Sequence, residues 1–236
     1  CVLIDPMPSR AGLLHPDPEF IEAVEKTARR CGILVVADEV LNLRQSYTGA
    51  SARYGLHPDL IAMGKIIGGG FPIGAIGGRE EIMQVFGSTG RKTLLPQGGT
   101  FSANPVSMVA GRIAMEALTP EEFQRLERMG DHVRRALTCI IQRHGAPFCV
   151  TGAASLFRIH PKASEPREYR DAYLNEVEAA VMKALSRHFL DAGVLFPLGA
   201  AACLSTPMRE TDLDLITSAF AEFLKANDHL YKELGQ

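Results

Sequence analysis

The sequence predicts an α/β protein with a mostly parallel sheet, followed by a small α+β domain. Three observations carry this. Ile33-Leu34-Val35-Val36-Ala37 is a short apolar run without alternation, as in a strand buried on both faces, and it stops at Asp38-Glu39-Val40. A second short run, Leu60-Ile61-Ala62-Met63, stops at Gly64-Lys65. An amphipathic helix-length segment separates the first run from an earlier one, Val2-Leu3-Ile4. Strand, helix and strand at this spacing make a parallel βαβ unit with a right-handed crossover. Ligands of open α/β sheets lie beyond the carboxyl ends of the strands. Asp38 and Lys65, each at such an end, therefore mark the candidate site.

The elements follow in order. The first helix has Asp17 at its N-cap, Pro18 at N1 and Glu19 in its first turn. Phe20, Val24, Ala28 and Cys31 form its expected apolar face. Glu22–Lys26 and Glu25–Arg29 are expected i,i+4 pairs on the opposite face, and Gly32 ends the helix. Leu41 to Gly49 is a polar loop, Ser51 to Gly55 a helical turn, and His57-Pro58 a turn in which His57 is structural. Beyond Lys65, six glycines fall within the thirteen residues Ile66 to Gly78. Arg79 to Phe86 reads as a short helix and Gly87 to Gly99 as a loop. Asn104-Pro105 caps a helix with apolar positions Val106, Val109, Ala110, Ile113 and Ala117.

Thr119-Pro120-Glu121-Glu122 is a capping box opening the next helix, whose Arg134, Arg135 and Arg143 form a solvated face. The expected domain boundary falls here, giving domains 1–118 and 119–236. The second contains expected strands at Phe148–Val150, Ser155–Ile159, Val194–Phe196 and Ala202–Ser205. A helix over Ala172–Ala192 should turn Tyr173, Val177, Val181, Leu185 and Phe189 inward. A last helix, capped by Thr211 and Asp214, should bury Leu213, Ile216, Phe220 and Phe223. Segregated helices and strands of this kind suit an α+β domain.

An acid and an amine at neighbouring strand ends have two readings. One is a salt bridge at the sheet edge. The other is a Schiff-base lysine beside the aspartate that partners a pyridinium nitrogen. Burial would make such an amine available as a nucleophile. The glycine cluster beyond Lys65 favours the second, since glycine lets backbone approach a flat ligand closely. Gly98-Gly99-Thr100 offers N–H groups and a hydroxyl suited to a phosphate. Lys92 is the one nearby competitor for the amine role, but no apolar strand precedes it.

Three blocks carry a specific resemblance. They are Ala37-Asp38-Glu39-Val40, Pro58-Asp59-Leu60 through Gly64-Lys65 to Gly74-Ala75, and Gly98-Gly99-Thr100-Phe101-Ser102-Ala103-Asn104-Pro105. In this order and spacing the chain resembles the class III aminotransferases, fold-type I enzymes that use pyridoxal 5′-phosphate (PLP), and among them the glutamate-1-semialdehyde 2,1-aminomutase-like members. The resemblance covers nearly the whole chain and implies that it corresponds to the carboxyl-terminal half of such an enzyme. It would then comprise part of the large PLP-binding domain and the small domain.

The resemblance further implies that Lys65 carries PLP and moves the substrate proton. Asp38 pairs with the ring nitrogen, Val40 lies against the ring face, and Thr100 reaches the phosphate of the neighbouring subunit in a homodimer. Glu39 stands behind them. The substrate would be a small-molecule amine or amino acid. Racemase or decarboxylase chemistry of the same family is an alternative, as is a non-catalytic chain that contributes only an interface. Two departures stand out. Asp5-Pro6 replaces the family's Glu-Pro, and Arg44 follows Leu43 without the usual glycine. Arg44 is either a receptor for a substrate carboxylate or a surface ion-pair partner.

Composition excludes several other classes. The 236 residues are 46% hydrophobic and 22% charged, ordinary for a soluble globular protein. A net charge of −2 gives no electrostatic case for nucleic acid or an anionic membrane. No apolar run approaches the ~18–20 residues that span a bilayer. Five dispersed cysteines without a C-x-x-C pair suit reduced thiols in a cytoplasmic setting and give no reason to expect a metal site. Neither a dinucleotide fingerprint, a Walker motif nor a G-x-S-x-G elbow is present.

Overall fold

The computed structural model describes residues 1–87, 93–198, 201–232 and 234. Its elements in order are β1 (Val2–Ile4), α1 (Pro18–Cys31), β2 (Val35–Asp38), α2 (Gly49–Tyr54), β3 (Leu60–Gly64), β4 (Gly74–Gly78), α3 (Glu80–Met83), α4 (Pro105–Ala117) and α5 (Pro120–His144). There follow β5 (Cys149–Thr151), β6 (Leu156–His160), α6 (Tyr169–Ala172), α7 (Glu176–Asp191), β7 (Ala202–Cys203), α8 (Glu210–Ala226) and α9 (Asp228–Tyr231). The chain divides into two compact units, one of residues 1–6 and 16–123 and the other of 7–15 and 124–236.

The first unit holds a sheet of order β1-β2-β3-β4. β1 and β2 pair in parallel, as do β2 and β3, whereas β4 returns antiparallel to β3. The sequence reading has no strand at β4, because three of its five residues are glycine and glycine is a poor strand former. Pairing with β3 from Leu60–Gly78 to Gly64–Gly74 overrides that local preference.

α1 begins and ends where its signals predict. Asp17 Oδ1 accepts the Glu19 N–H at 2.9 Å, and Gly32 closes the helix with φ 63°. Its buried face differs from the expected one. Ile21, Glu25 and Ala28 are buried, whereas Phe20 and Cys31 are exposed. Glu25 can face inward because it accepts the backbone N–H of His57 at 2.6 Å while pairing with Arg29. The Glu22–Lys26 pair forms on the surface at 2.5 Å. Ile21, Ala28, Val35, Ala37 and Leu56 make the core of the unit, with Val2, Ile4 and Ile61 packed against it. At the amino ends of β2 and β3, Asp59 accepts the Val35 N–H and the Arg79 guanidinium, each at 2.8 Å. These two donors, the backbone one first, hold the Asp59 carboxyl below its ordinary range.

α4 inverts a simple amphipathic expectation. Val106, Val109 and Ile113 are exposed, and the residues turned inward are Ser107 and Gly111. A Cβ on Gly111 would meet the carbonyl of Ile67, and one on Gly69 would meet the carbonyl of Ala110. Backbone therefore packs on backbone, and the bulky side chains are left on the far face.

The second unit holds an antiparallel sheet of order β5-β6-β7. Leu156, Phe157, Ile159, Leu185, Phe189, Phe220 and Phe223 are among its fully buried side chains. Val194–Phe196 is not a strand. What fixes it is Phe196, which stacks on Phe189 with ring centroids 4.7 Å apart. α7 starts later than the pattern suggests, because Asn175 and Glu178 form a capping box at its amino end. Tyr173 and Val177 are accordingly exposed, while Val181, Leu185 and Phe189 are buried. α8 buries Leu213, Ile216, Phe220 and Phe223 as predicted, with Arg209 as its N-cap. Arg134 is not part of a solvated face. It donates to the carbonyls of Ala154 and Leu156, both at 2.7 Å, and its side chain is 14% exposed.

Met7–His15 completes this unit. Arg158 donates to the carbonyl of Ser9 at 3.0 Å, and Thr151 donates to that of Gly12 at 2.7 Å. His160 Nε2 reaches the same Gly12 carbonyl at 3.0 Å, which makes Nε2 the protonated ring nitrogen. Among the described residues, Nδ1 is buried without a hydrogen-bond partner. Burial, chiefly, and the nearby Arg158 charge push the His160 pKa down from 6.5 to about 4. A depressed folded-state value means that stability is full above the unfolded pKa and is lost as pH falls toward the folded one. Denaturant titrations should therefore show stability declining between about pH 6.5 and pH 4, by up to about 3 kcal/mol. His160→Gln should flatten that stretch of the profile; an unchanged slope would rule out His160 as its source.

Candidate functional site

The site is set by where β2 and β3 end. Their register runs Val36–Leu60, Ala37–Ile61 and Asp38–Ala62, so both strands deliver their next residues to the same edge. Asp38 closes β2, and Lys65 follows Gly64, the last residue of β3. The parallel pairing thus sets at one sheet edge two residues that are 27 positions apart in the chain.

Asp38 is half-buried. Its Oδ1 accepts the N–H of Val40 at 3.0 Å, and no donor among the described residues reaches Oδ2. Val40 lies beside Gly64, where an added Cβ would sit 3.3 Å from Val40 Cγ1. Lys65 departs from the sequence reading in one respect: its side chain is exposed, not buried. The strand stops one residue earlier, and Lys65 opens a 3₁₀ turn, Lys65–Gly68, that carries the chain off the end of the sheet. Its φ of 49° lies in the left-handed region. Such conformations cost a non-glycine residue of order 1–3 kcal/mol and cluster at functional sites.

Thr100 is exposed, in a turn where the Ser102 N–H donates to Gly99 at 2.9 Å. Among the described residues it makes no hydrogen bond to Asp38, Val40 or Lys65. A cavity of about 450 Å³ lies between Pro72–Gly74 and the stretch from Gly99 to Met108. Lys92 lies outside the described residues.

Glu39 is fully buried, with its carboxylate bound to the N–H groups of Ala50 and Ser51. Sequence reading missed a second buried polar system altogether. Asn42 Nδ2 donates to Asp5 at 2.5 Å, Gln45 donates to Asn42 at 2.8 Å, and the Tyr54 hydroxyl donates to Gln45 at 2.9 Å. This chain anchors the loop that carries Arg44, which is itself half-buried. Its only sequence signal is the Asp5/Asn42/Gln45 set, and nothing in their spacing announces contact across 37 residues. His57 is held through its backbone by Glu25, and its side chain is exposed.

The donor set fits a pyridoxal cofactor. Among the described residues, one oxygen of Asp38 is open to a ring N–H, Val40 offers an apolar surface over bare Gly64 backbone, and the primary amine of Lys65, the next residue, has no partner. Among the described residues no cluster of three or more His, Cys, Asp or Glu side chains is arranged for a metal ion. No helix among them is long and apolar enough to cross a membrane.

Comparison with known proteins agrees with this chemistry. The chain is 34% identical over 228 residues to glutamate-1-semialdehyde 2,1-aminomutase of Methylacidiphilum infernorum, covering 95% of this chain and 52% of that protein. It spans about half the length of the curated relatives it matches. An omega-transaminase from Sphaerobacter thermophilus superposes with a TM-score of 0.91 at 42% identity, covering 95% of this chain and 51% of the other. A transaminase with PLP bound superposes with a TM-score of 0.86 at 36% identity, covering 100% of this chain and 53% of the other. The mixed, mostly parallel sheet is thus that of the fold-type I PLP aminotransferases. The family model described as aminotransferase class-III matches residues 1–226, and the chain belongs to that family.

Proposed function

We propose that the protein is a PLP-dependent aminotransferase in which Lys65 is the covalent anchor and Asp38 the partner of the ring nitrogen. The observation that carries this is the parallel β2–β3 register, which sets Asp38 and Lys65 at one sheet edge, with Val40 against Gly64. When bound, PLP supplies a conjugated ring that draws electrons from the carbon bearing the amine. The chain's own residues supply the rest. Asp38 Oδ2 accepts the ring N–H and keeps that proton in place. Val40 bears on the ring face. Lys65 Nζ would take the proton from the substrate carbon and deliver it to the cofactor carbon. Thr100 donates its hydroxyl to the phosphate.

Residues 1–118 would belong to the large cofactor-binding domain and 119–236 to the small one. The exposed Val106, Val109 and Ile113 on α4, with exposed Phe101 nearby in sequence, support burial against a second copy in a homodimer. In that assembly Thr100 serves the partner's site. A cytoplasmic location accords with the free cysteines. Transfer between two molecules is supported by the 42% identity to an omega-transaminase. An intramolecular transfer, as in the aminomutase named above, is the second reading, supported by 34% identity to that relative. Assaying an amine donor with a separate keto acceptor against a single amino-aldehyde substrate separates them.

Three outcomes test the assignment. The purified protein should bind PLP with a visible absorption band, and borohydride should fix the label on Lys65; a label on Lys92 would sink the assignment. Asp38→Asn should leave the fold intact but slow turnover by about 10²–10⁴, the range for loss of one preorganised electrostatic contact. Turnover within about threefold of wild type would contradict the role of Asp38. Mixing Lys65→Ala chains with Thr100→Ala chains should restore activity, because one site of the heterodimer then carries both lesions and the other none. No recovery would mean that Thr100 serves its own chain.

A further inference from the structure

We infer that Glu39 is a positioning residue that fixes how Asp38 and Val40 face the cofactor, an inference that rests on the roles proposed for those two. Every polar group of Glu39 is engaged. Its N–H donates to the Ala62 carbonyl on β3 at 2.9 Å, continuing the β2–β3 pairing one residue past the end of β2. Its carbonyl accepts the Leu43 N–H at 3.0 Å. Its Oε2 accepts the Ala50 N–H at 2.7 Å and its Oε1 the Ser51 N–H at 2.8 Å, both in the first turn of α2. The side chain is fully buried, so these bonds are shielded from competing water. Gly49, with φ 83°, leaves the space that the carboxylate fills, and a Cβ there would collide with it.

The consequence comes from strand geometry. Successive side chains of an extended segment point to opposite faces. With Glu39 clamped on one side, Asp38, the last residue of β2, is sent to the other, and Val40 follows in the turn beyond it. The bond between the Val40 N–H and Asp38 Oδ1 then spans the Glu39 residue and fixes the carboxylate rotamer. A neutral amide at position 39 keeps the shape but sets an NH₂ group against one of two N–H donors. The clamp loosens there while Asp38, Val40 and Lys65 remain chemically unchanged.

The test is Glu39→Gln, with Glu39→Asp as a second variant that keeps the charge but shortens the reach. PLP affinity is read by absorbance titration at a temperature where circular dichroism shows the folded state. Amide hydrogen exchange at Ala50 and Ser51 reports the clamp directly. We expect faster exchange at both amides, and PLP affinity and kcat each about 10- to 100-fold lower with KM little changed. That is the range for residues that orient a ligand without touching it. If Glu39→Gln fails to fold, Glu39→Asp decides, with at least a threefold loss of PLP affinity expected. A lower melting temperature with PLP affinity and kcat within twofold of wild type would assign Glu39 to stability alone and overturn the inference. A wild type without a visible band overturns both this inference and the assignment beneath it.

Discussion

The parallel pairing of β2 with β3 is the constraint on which the rest of the site depends. Backbone hydrogen bonds alone would permit slippage, and a slip of one residue turns every side chain to the opposite face. Carboxylates at the two ends of β2 oppose it. At the start, Asp59 reaches across to the Val35 N–H. At the finish, Glu39 holds the first turn of α2. Between them the register can stop in one place, with Asp38 opposite Ala62 and Lys65 just beyond. Hydrogen bonds to charged groups contribute roughly 1.5–3 kcal/mol each, so two such anchors outweigh the strain stored at Lys65.

Close backbone packing is the second organising feature. The turn after Lys65 packs under α4 because Gly69 and Gly111 carry no side chains. The helix is thereby drawn toward the end of the sheet, and the Ser107 hydroxyl donates to the Pro72 carbonyl at 2.8 Å. This arrangement explains why the bulky residues of α4 face outward. Its inner face has no room for them.

Much of this was legible in the sequence. The strands ending at Asp38 and Gly64 are apolar runs too short for helices, and the caps Asp17, Gly32, Asn104 and Thr119 mark helix ends through local chemistry. Strand ends are local and so is capping, which is why both could be read. The rest depends on pairing at a distance. β4 forms only because β3 is there to receive it. Glu25 and Arg134 look like surface residues by periodicity, yet each finds backbone partners from another element. The exposure of Lys65 follows from the chain turning off the sheet at Gly64, which no residue pattern announces.

Met7–His15 has a consequence for how the molecule is made. This segment is synthesised before the groups that receive it, Arg158, His160 and Thr151, the last two bonded to Gly12 across 148 and 139 residues. Met7 and Leu13 are fully buried in the finished fold. Contacts so remote in sequence form slowly, because the loop must close before they reward it. During translation, therefore, these two apolar side chains wait for a unit most of which follows them by more than a hundred residues. The second unit cannot finish folding as its own stretch of chain appears, and no single cut in the polypeptide can release it whole.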